Sequence, residues 1–395
     1  MSMKLIQGDC LEAMKTLPDN SVDACVTDPP YGLKFMGKKW DYNVPTVEQW
    51  KEVYRVMKPG AFLLSFGGTR TYHRMVVNIE DAGFEIRDQI QWLYGSGFPK
   101  SRNIGKDIEK KKVGGIRNLT QVGTKQGIRC ETGTEGFSYN KEYVAGKCMG
   151  GKQISGEIPV YEINNEWDGF GTALKPANEP ICLARKPLSE KTVAANVLKW
   201  GTGGLNIDGC RIGETGARNN GCKAGKDGYN KGDIYGKYRP TEKVDYNKGR
   251  FPADVIHDGS DEVVGLFPDT TGGAKAAKGK EGRSFFNAGN YHLNGERIEY
   301  DSGSAARFFY VAKASKAERG EGNNRPTVKP LKLMCYLCRL VTPPGGTVLD
   351  CYVGSGTTGV AAQIEGFEFI GIDKDIDIAT RRIENTDPLF QAVRF

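Results

Sequence analysis

Short apolar runs alternate with amphipathic stretches over the first 94 residues of the chain. Apolar runs bounded by glycine, proline or charged positions predict strands at 4–7, 23–27, 61–66 and 85–94. Apolar positions that recur every three or four residues predict helices at 10–17, 47–57 and 71–81. The segment Lys58-Pro59-Gly60 is expected to end the second helix. Such strand–helix alternation is typical of a parallel sheet that is covered on both faces.

The pattern weakens in the middle of the chain and returns near its end. Residues 95–177 are rich in glycine and lysine, a strand is predicted at 181–185, and 187–323 are glycine-rich with apolar islands at 250–256 and 307–312. Regular elements then resume, with helices predicted at 331–341 and 357–365 and strands at 347–349 and 368–372. We expect one sheet assembled from both chain ends, with the middle looped out as a separate recognition lobe.

Composition places the chain among globular proteins and indicates its cellular compartment. Of 395 residues, 38% are hydrophobic and 26% are charged, and there is no apolar run of about 18 residues that would predict a transmembrane helix. The start, MSMKLIQGDC, lacks the apolar core of a signal peptide, so a cytoplasmic protein with reduced thiols is expected. Cys335 and Cys338 form a C-x-x-C within a predicted helix, and without further ligands they are interpreted as core thiols rather than a metal site.

The positive charge of the chain is concentrated in one segment. The net charge is +7, and residues 98–130 contain nine Lys or Arg and two acidic residues. A basic segment of this kind is either a solvated face or a surface that contacts phosphates.

A glycine loop near the C-terminus indicates a nucleotide-like ligand. The string from Asp350 to Gly359, DCYVGSGTTG, joins a predicted strand to a predicted helix, and the next strand ends at Asp373. Glycines allow close approach of the backbone to a ligand, and an acid at the second strand end can accept ribose hydroxyls. The loop also satisfies G-x-G-x-x-G, so NAD binding and a plain strand–helix turn are both alternatives.

A second motif, Asp28-Pro29-Pro30-Tyr31, follows the apolar strand at 23–27. The two prolines fix the backbone and remove two N–H donors, leaving a carboxylate, peptide carbonyls and an aromatic ring. This set suits an amino group with two hydrogens on a planar ring. The alternative is a proline-stiffened turn with a capping Asp.

Together the two motifs resemble the amino-group DNA methyltransferases that use S-adenosylmethionine. The tetrapeptide resembles their catalytic motif, and it precedes the cofactor loop, which is similar to the permuted beta group. Gly8-Asp9-Cys10 resembles the segment that holds the cofactor's adenine, and residues 325–330 resemble the segment at its methionine end. The family commonly has Pro-Phe after the loop Asp, whereas this chain has Cys351-Tyr352.

The resemblance implies a Rossmann-like α/β sheet and a division of the chain. Residues 1–94 would form the catalytic half, 324–395 the cofactor half, and 178–186 a strand of the same domain. Residues 95–177 would be a basic insertion and 187–323 a target-recognition region. The implied partner is double-stranded DNA, and no membrane association is expected. The resemblance places the protein in the cytoplasm of a bacterial or phage-infected cell. A homodimer is expected because the permuted group is often dimeric.

The resemblance also assigns roles to residues at the two motifs. Asp28 and the Pro29 carbonyl would accept the hydrogens of the target amine, in the turn stiffened by Pro30, and Tyr31 would stack on a flipped-out base. Toward S-adenosylmethionine, Asp350 would meet the methionine amino group, Asp373 the ribose, and Asp9 with Cys10 the adenine. The remaining cofactor residues are expected to be Tyr352, Gly354, Ser355, Gly356, Thr357, Thr358, Thr327 and Lys329.

The expected reaction is methyl transfer to the N6 amine of adenine, since Asp in the first motif position is usual in the adenine enzymes. Cytosine-N4 methylation is the principal alternative. An NAD-dependent dehydrogenase would explain the glycine loop but neither the tetrapeptide nor the motif order. A catalytically silent DNA-binding module would tolerate loss of Asp28, which is intact.

Overall fold

The computed structural model describes residues 2–33, 41–95, 97, 101–115, 118–131, 152–213, 249–271, 302–312 and 328–386. The chain divides into two compact units. The larger unit comprises Met1–Leu93 and Asn178–Phe395, and the smaller comprises Tyr94–Ala177. Each is described separately below.

The secondary structure of the described ranges alternates along the chain. The strands are β1 (Met3–Gln7), β2 (Val22–Thr27), β3 (Met57–Phe66), β4 (Glu85–Leu93), β5 (Gln121–Glu131), β6 (Lys152–Tyr161), β7 (Asn178–Arg185), β8 (Val255–His257), β9 (Asp269–Thr271), β10 (Ser302–Ser304), β11 (Tyr310–Val311), β12 (Thr347–Asp350) and β13 (Glu368–Asp373). The helices are α1 (Cys10–Met14), α2 (Val47–Val56), α3 (Tyr72–Asp81), α4 (Ile104–Lys112), α5 (Val193–Trp200), α6 (Asp261–Val264), α7 (Leu331–Val341), α8 (Thr357–Glu365) and α9 (Asp377–Glu384).

A nine-stranded, mostly parallel sheet forms the centre of the larger unit. Its order is β1-β13-β12-β2-β3-β7-β4-β8-β11, and β7 alone in this sheet runs antiparallel to its neighbours β3 and β4. The C-terminal strands β12 and β13 lie between β1 and β2. The predicted α/β sheet built from both chain ends is therefore confirmed.

The sheet is covered on both faces because its strand side chains alternate between two apolar cores. Phe62, Leu64 and Phe66 of β3 belong to one core, which includes the inner side chains of α7 and α8. Leu63 belongs to the other, which includes Trp50 of α2 and residues of α1 and α3. The central strands are thus buried on both sides, as their continuous apolar sequences predict.

Helix α2 ends at Val56, within one residue of its predicted end, but the segment Lys58-Pro59-Gly60 that follows is part of a strand. It lies inside β3, which begins at Met57. Gly60 has a φ of +81°, and its N–H donates to the Lys186 carbonyl at 3.0 Å. The Pro59 carbonyl accepts from the buried side chains of Asn196 and Thr202. These contacts with distant residues keep the segment extended despite its turn-like composition.

Parts of 187–323 also differ from the expectation of a region looped out of the sheet. The short strands β8 and β11 extend the main sheet beyond β4, and Ile256 of β8 is fully buried. The apolar islands at 250–256 and 307–312 contain these strands, which explains why they join the core. Most of the glycine-rich sequence between them lies outside the described residues.

The smaller unit contains α4 and an antiparallel pair formed by β5 and β6. Asn103 caps α4 by accepting from the Lys106 N–H at 2.9 Å. Asn165 donates to the Gly105 carbonyl and to the Glu109 carboxylate, tying the segment after β6 to the helix. Three lysines at 110–112 lie in the last turn of α4, where their positive charge is stabilised by the negative end of the helix dipole.

Candidate functional site

Three predicted site residues, all aspartates, lie at one edge of the main sheet. The parallel strands β1, β13, β12 and β2 are neighbours, so their carboxyl ends lie side by side. Asp373 ends β13, Asp350 ends β12, and Asp28 directly follows β2. Ligands of open α/β sheets bind at this edge.

Asp350 is the buried centre of the glycine-loop half of the site. Its Oδ1 accepts from the Thr27 hydroxyl at 2.6 Å and from the Tyr352 N–H at 3.1 Å, and its Oδ2 accepts from the Thr358 hydroxyl at 2.6 Å. Desolvation by burial raises the pKa of Asp350 from 3.8 to about 6, although these hydrogen bonds oppose the rise. Because Thr27 precedes Asp28, this carboxylate also connects the two motifs.

The glycine loop makes a tight turn into α8. Gly354 and Gly356 have φ values of +54° and +80°, which L side chains rarely adopt. A Cβ at Gly356 would also lie 2.8 Å from the Ala379 Cα of α9. Both conformation and space therefore require glycine at position 356.

Arg382 of α9 holds the same loop from the other side. Its Nη1 donates to the Ser355 carbonyl at 2.7 Å, to the Ser355 hydroxyl at 3.0 Å and to the Thr357 hydroxyl at 2.9 Å. The Ser355 and Thr357 hydroxyls thus accept from this guanidinium, a contact that the sequence did not predict.

Asp373 lies directly beside the glycine loop. Its Oδ2 accepts from the Gly354 N–H at 2.8 Å, and its carbonyl accepts from the Gly8 N–H at 2.9 Å. Asp9, which follows Gly8, caps α1 by accepting from the Leu11 N–H at 3.1 Å. These contacts bring the ends of β1 and β13 to the loop.

Cys10 belongs to the apolar core that contains Trp50, and Tyr352 packs against that core. The Cys10 thiol is buried, and it accepts from Gln49 Nε2 at 3.2 Å. Burial, followed by the neighbouring thiols Cys351 and Cys10, raises the pKa of Tyr352. The Tyr352 hydroxyl therefore stays protonated beside these thiols.

Asp28 belongs to a cluster of four side chains that we call the Asp28 cluster: Asp28, Tyr31, Glu179 and Lys329. Lys329 Nζ donates to Asp28 Oδ2 at 2.6 Å and forms an ion pair with Glu179 Oε2 at 3.1 Å. The Tyr31 hydroxyl lies 2.8 Å from Asp28 Oδ1 and 3.0 Å from Glu179 Oε2. Lys329 also donates to that hydroxyl at 3.1 Å.

The electrostatics of the Asp28 cluster keep its two donors protonated. Burial lowers the pKa of Lys329, but the adjacent carboxylates of Asp28 and Glu179 overcome this and raise it above its ordinary value. Burial and the same two carboxylates raise the pKa of Tyr31. The cluster therefore contains an ammonium and a neutral phenol that both donate to carboxylates.

The backbone after Asp28 is held by Asp41, whose side chain is buried. Asp41 Oδ1 accepts from the N–H groups of Tyr31 at 2.8 Å and Gly32 at 2.9 Å, and Oδ2 accepts from that of Leu33 at 3.2 Å. The Thr71 hydroxyl donates to the Tyr31 carbonyl at 2.5 Å. Because Pro29 and Pro30 have no N–H groups, the hydrogen bonds that hold this turn are made by the residues that follow them.

Of the two cofactor residues predicted at 325–330, the structure describes only Lys329. Lys329 is predicted to bind the methionine end of the cofactor, and in the structure its polar contacts are with Asp28, Glu179 and the Tyr31 hydroxyl, because a buried ammonium requires compensating charge. Thr327 lies outside the described residues.

Sequence reasoning missed four residues of the site: Thr27, Asp41, Glu179 and Arg382. A polar residue at the end or start of a buried strand was a usable signal for Thr27 and Glu179. No signal pointed to the other two.

The described ranges contain no group of three or more His, Cys, Asp or Glu residues that could hold a metal ion. Within the same ranges, no helix has the length and hydropathy needed to cross a membrane.

Among known proteins, a family model matches most of the chain, whereas the curated relatives match it only in part. The N6/N4 methyltransferase family model, described as DNA methylase, matches residues 22–383. Methylase YubD of Escherichia coli is 35% identical over 89 residues, which are 21% of this chain and 39% of that protein. Type II methyltransferase M.HpaI of Haemophilus parainfluenzae is 34% identical over 111 residues, 26% of this chain and 35% of that protein. The matches thus span well under half of either relative.

Among solved structures, the PvuII DNA methyltransferase, described as cytosine-N4-specific, aligns with a TM-score of 0.44 and 13% identity over 99% of this chain and 86% of that one. The M1.HpyAVI–SAM complex aligns with a TM-score of 0.41 and 15% identity over 96% of this chain and 98% of that one.

Proposed function

The chain belongs to the DNA methylase family whose model it matches, and from that membership we propose that it transfers a methyl group from S-adenosylmethionine to the N6 amine of adenine in duplex DNA. The observation that carries this proposal is the hydrogen bond from Thr27 to Asp350, which joins the strand end bearing Asp28 to the strand end bearing the glycine loop. An acceptor for an amine and a loop for a nucleotide-like ligand thus lie on adjacent strands.

Asp28 is the proposed catalytic residue. The exocyclic amine of a base is a weak nucleophile because its lone pair is delocalised into the ring. The Asp28 carboxylate and the Pro29 carbonyl accept its two hydrogens, which localises the lone pair on nitrogen. Lys329 donates to Asp28 Oδ2 and holds the orientation of the carboxylate, so Oδ1 is the oxygen that accepts from the amine. Positioning and preorganised charge supply the rate enhancement.

The chain's residues fit S-adenosylmethionine at the glycine loop. Gly356 caps α8 without a side-chain hydrogen bond, so no side chain of that cap covers the helix N-terminus. Three donors occupy Asp350, which leaves its carboxylate room for one more, from the methionine amino group. Asp373 accepts ribose hydroxyls beside Gly354. The bound cofactor supplies an electrophilic methyl group on a cationic sulfur.

The target base must leave the duplex to reach Asp28, because its amine is paired inside the helix. The Tyr31 ring is proposed to stack on the flipped base while its hydroxyl stays on the carboxylates. The lysines at 110–112 and the described part of 187–323 are proposed to contact the DNA, the former through phosphates. A homodimer remains part of the proposal.

Adenine is preferred over cytosine because residue 28 is an aspartate. A charged carboxylate at this position makes a stronger hydrogen bond to an amine than a neutral hydroxyl at the same position would. Both exocyclic amines would nevertheless fit between Asp28 and the Pro29 carbonyl, so cytosine-N4 transfer is the second candidate.

The test is to identify the methylated nucleoside. Unmodified duplex DNA is incubated with the protein and methyl-labelled S-adenosylmethionine, digested, and analysed by mass, with Asp28→Ala as the control. We expect label in N6-methyladenine with the wild type and none with the variant. Label in N4-methylcytosine would contradict the adenine assignment alone, and no label in either nucleoside would contradict the proposed function.

A further inference from the structure

Glu179 enters the catalytic edge of the sheet from the opposite direction to Asp28. Strand β7 is antiparallel to β3, so its first residues lie where β3 ends. Phe66 pairs with Ile181, and the Gly67 N–H donates to the Pro180 carbonyl at 2.9 Å. Two backbone contacts therefore fix the position of Glu179 relative to the Asp28 turn.

The Glu179 carboxylate shares both of its partners with Asp28. Its Oε2 lies 3.0 Å from the Tyr31 hydroxyl and 3.1 Å from Lys329 Nζ. The side chain is 22% exposed and that of Lys329 only 8%. A carboxylate in this position costs desolvation energy, and the lysine beside it already has Asp28 as a partner, so charge balance for Lys329 alone does not require Glu179.

The Tyr31 hydroxyl has two acceptors but only one proton. It can donate to Asp28 Oδ1 or to Glu179 Oε2, and not to both at once. When a target amine donates to Asp28 Oδ1, a hydroxyl with no other acceptor would compete with it for that oxygen. With Glu179 present the hydroxyl turns to Oε2 and remains hydrogen-bonded.

We propose that Glu179 is a positioning residue for methyl transfer, which takes over the Tyr31 hydroxyl and shares the Lys329 ammonium so that Asp28 is available to the target amine. This inference rests on the proposed function. It assigns no proton or methyl to Glu179 itself, and it places the residue's effect on the chemical step rather than on cofactor binding.

The first experiment compares Glu179→Ala, Glu179→Gln and the matched control Glu190→Gln. Glu190 also pairs with a lysine, Lys199, at 2.6 Å, but on the surface away from this cluster. We expect Glu179→Ala to lower kcat by about 10- to 100-fold with the cofactor Kd within about twofold of wild type. The isosteric Glu179→Gln should lose less, because its amide oxygen still accepts the hydroxyl, and Glu190→Gln should match wild type.

The second experiment separates positioning from structural support through a double-mutant cycle with Tyr31→Phe. Without the Tyr31 hydroxyl there is no donor to turn from Asp28 to Glu179. The fold-decrease in kcat caused by Glu179→Ala should therefore be at least about fivefold smaller in the Tyr31→Phe background than in the wild type. Independent, multiplicative losses would overturn the proposal. So would loss of cofactor binding in Glu179→Gln, which would make Glu179 part of the fold.

Failure of the proposed function and failure of the Glu179 role give different results. If wild-type protein transfers no methyl group to DNA, the proposed function fails. If the wild type is active and Glu179→Ala behaves like Glu190→Gln, only the role of Glu179 fails.

Discussion

Replacing Asp350 by Asn should remove a pH-dependent cost from the folded protein. Burial raises the pKa of Asp350 from 3.8 to about 6, so the fold favours the protonated acid. Stability is therefore lost as pH rises between these two values and is constant above them. At about 1.4 kcal/mol per pKa unit, the full cost is about 3 kcal/mol, of which roughly half is incurred between about pH 5 and 7.5.

The Asn side chain can keep the hydrogen bonds of Asp350. Its oxygen takes the Oδ1 position, which accepts from the Thr27 hydroxyl and the Tyr352 N–H. Its amide nitrogen takes the Oδ2 position, where the Thr358 hydroxyl can change from donor to acceptor. The Thr358 hydroxyl proton loses the acceptor that Oδ2 provided, but this cost does not depend on pH, so the pH-dependent difference between the two proteins still reports the charge.

Urea unfolding of wild type and Asp350→Asn at several pH values measures this cost. The unfolding free energy of the variant relative to wild type should rise by about 1–1.5 kcal/mol between about pH 5 and 7.5. Parallel pH curves for the two proteins would refute the assignment of a buried, charged Asp350.

The same carboxylate is proposed to meet a cationic ligand. The affinity of the wild type for S-adenosylmethionine should therefore fall below about pH 6, where Asp350 becomes protonated. Calorimetry should show weaker binding by Asp350→Asn, without that acid limb. An equal acid limb in both proteins would assign the titration to another group.

Three further predictions concern other parts of the chain. Asp373→Ala should weaken S-adenosylmethionine by about 10- to 150-fold in calorimetry, and an unchanged Kd would contradict its ribose role. Asp41→Ala removes the acceptor of three backbone N–H groups, so it should lower the free energy of unfolding in urea by about 1–3 kcal/mol and slow methyl transfer. Unchanged stability and an unchanged rate would show that the turn after Asp28 does not depend on Asp41. Replacing the lysines at 110–112 should weaken all DNA sites alike and reduce the slope of log affinity against log salt by up to about 2–3, whereas an unchanged slope would mean a solvated face.

The sequence was sufficient for the regular elements at both ends of the chain. The helices predicted at 331–341 and 357–365 have those bounds, because their periodicity and flanking glycines and prolines are local signals. The strand at 61–66 began earlier than predicted, since Pro59 and Gly60 are held extended by contacts with distant side chains. Local composition could not contain that information.

The site was only partly accessible from the sequence for the same reason. The two motifs lie at adjacent strand ends, as strand–loop–helix patterns predict. The partners of Asp28 could not be inferred, because Lys329 is 301 positions away and Glu179 reaches Tyr31 across 148 positions on an antiparallel strand. An isolated sequence does not reveal the direction of one strand in a mostly parallel sheet.

The assignment of Asp28 to the target amine is tested most directly by a single-turnover experiment with Asp28→Ala preloaded with methyl-labelled S-adenosylmethionine. Asp28 is assigned to the target amine and the Asp350 loop to the cofactor, on adjacent strands. We expect the variant to bind the cofactor within about threefold of wild type and to transfer no methyl group to duplex DNA. Transfer at the wild-type rate, or loss of cofactor binding, would contradict it.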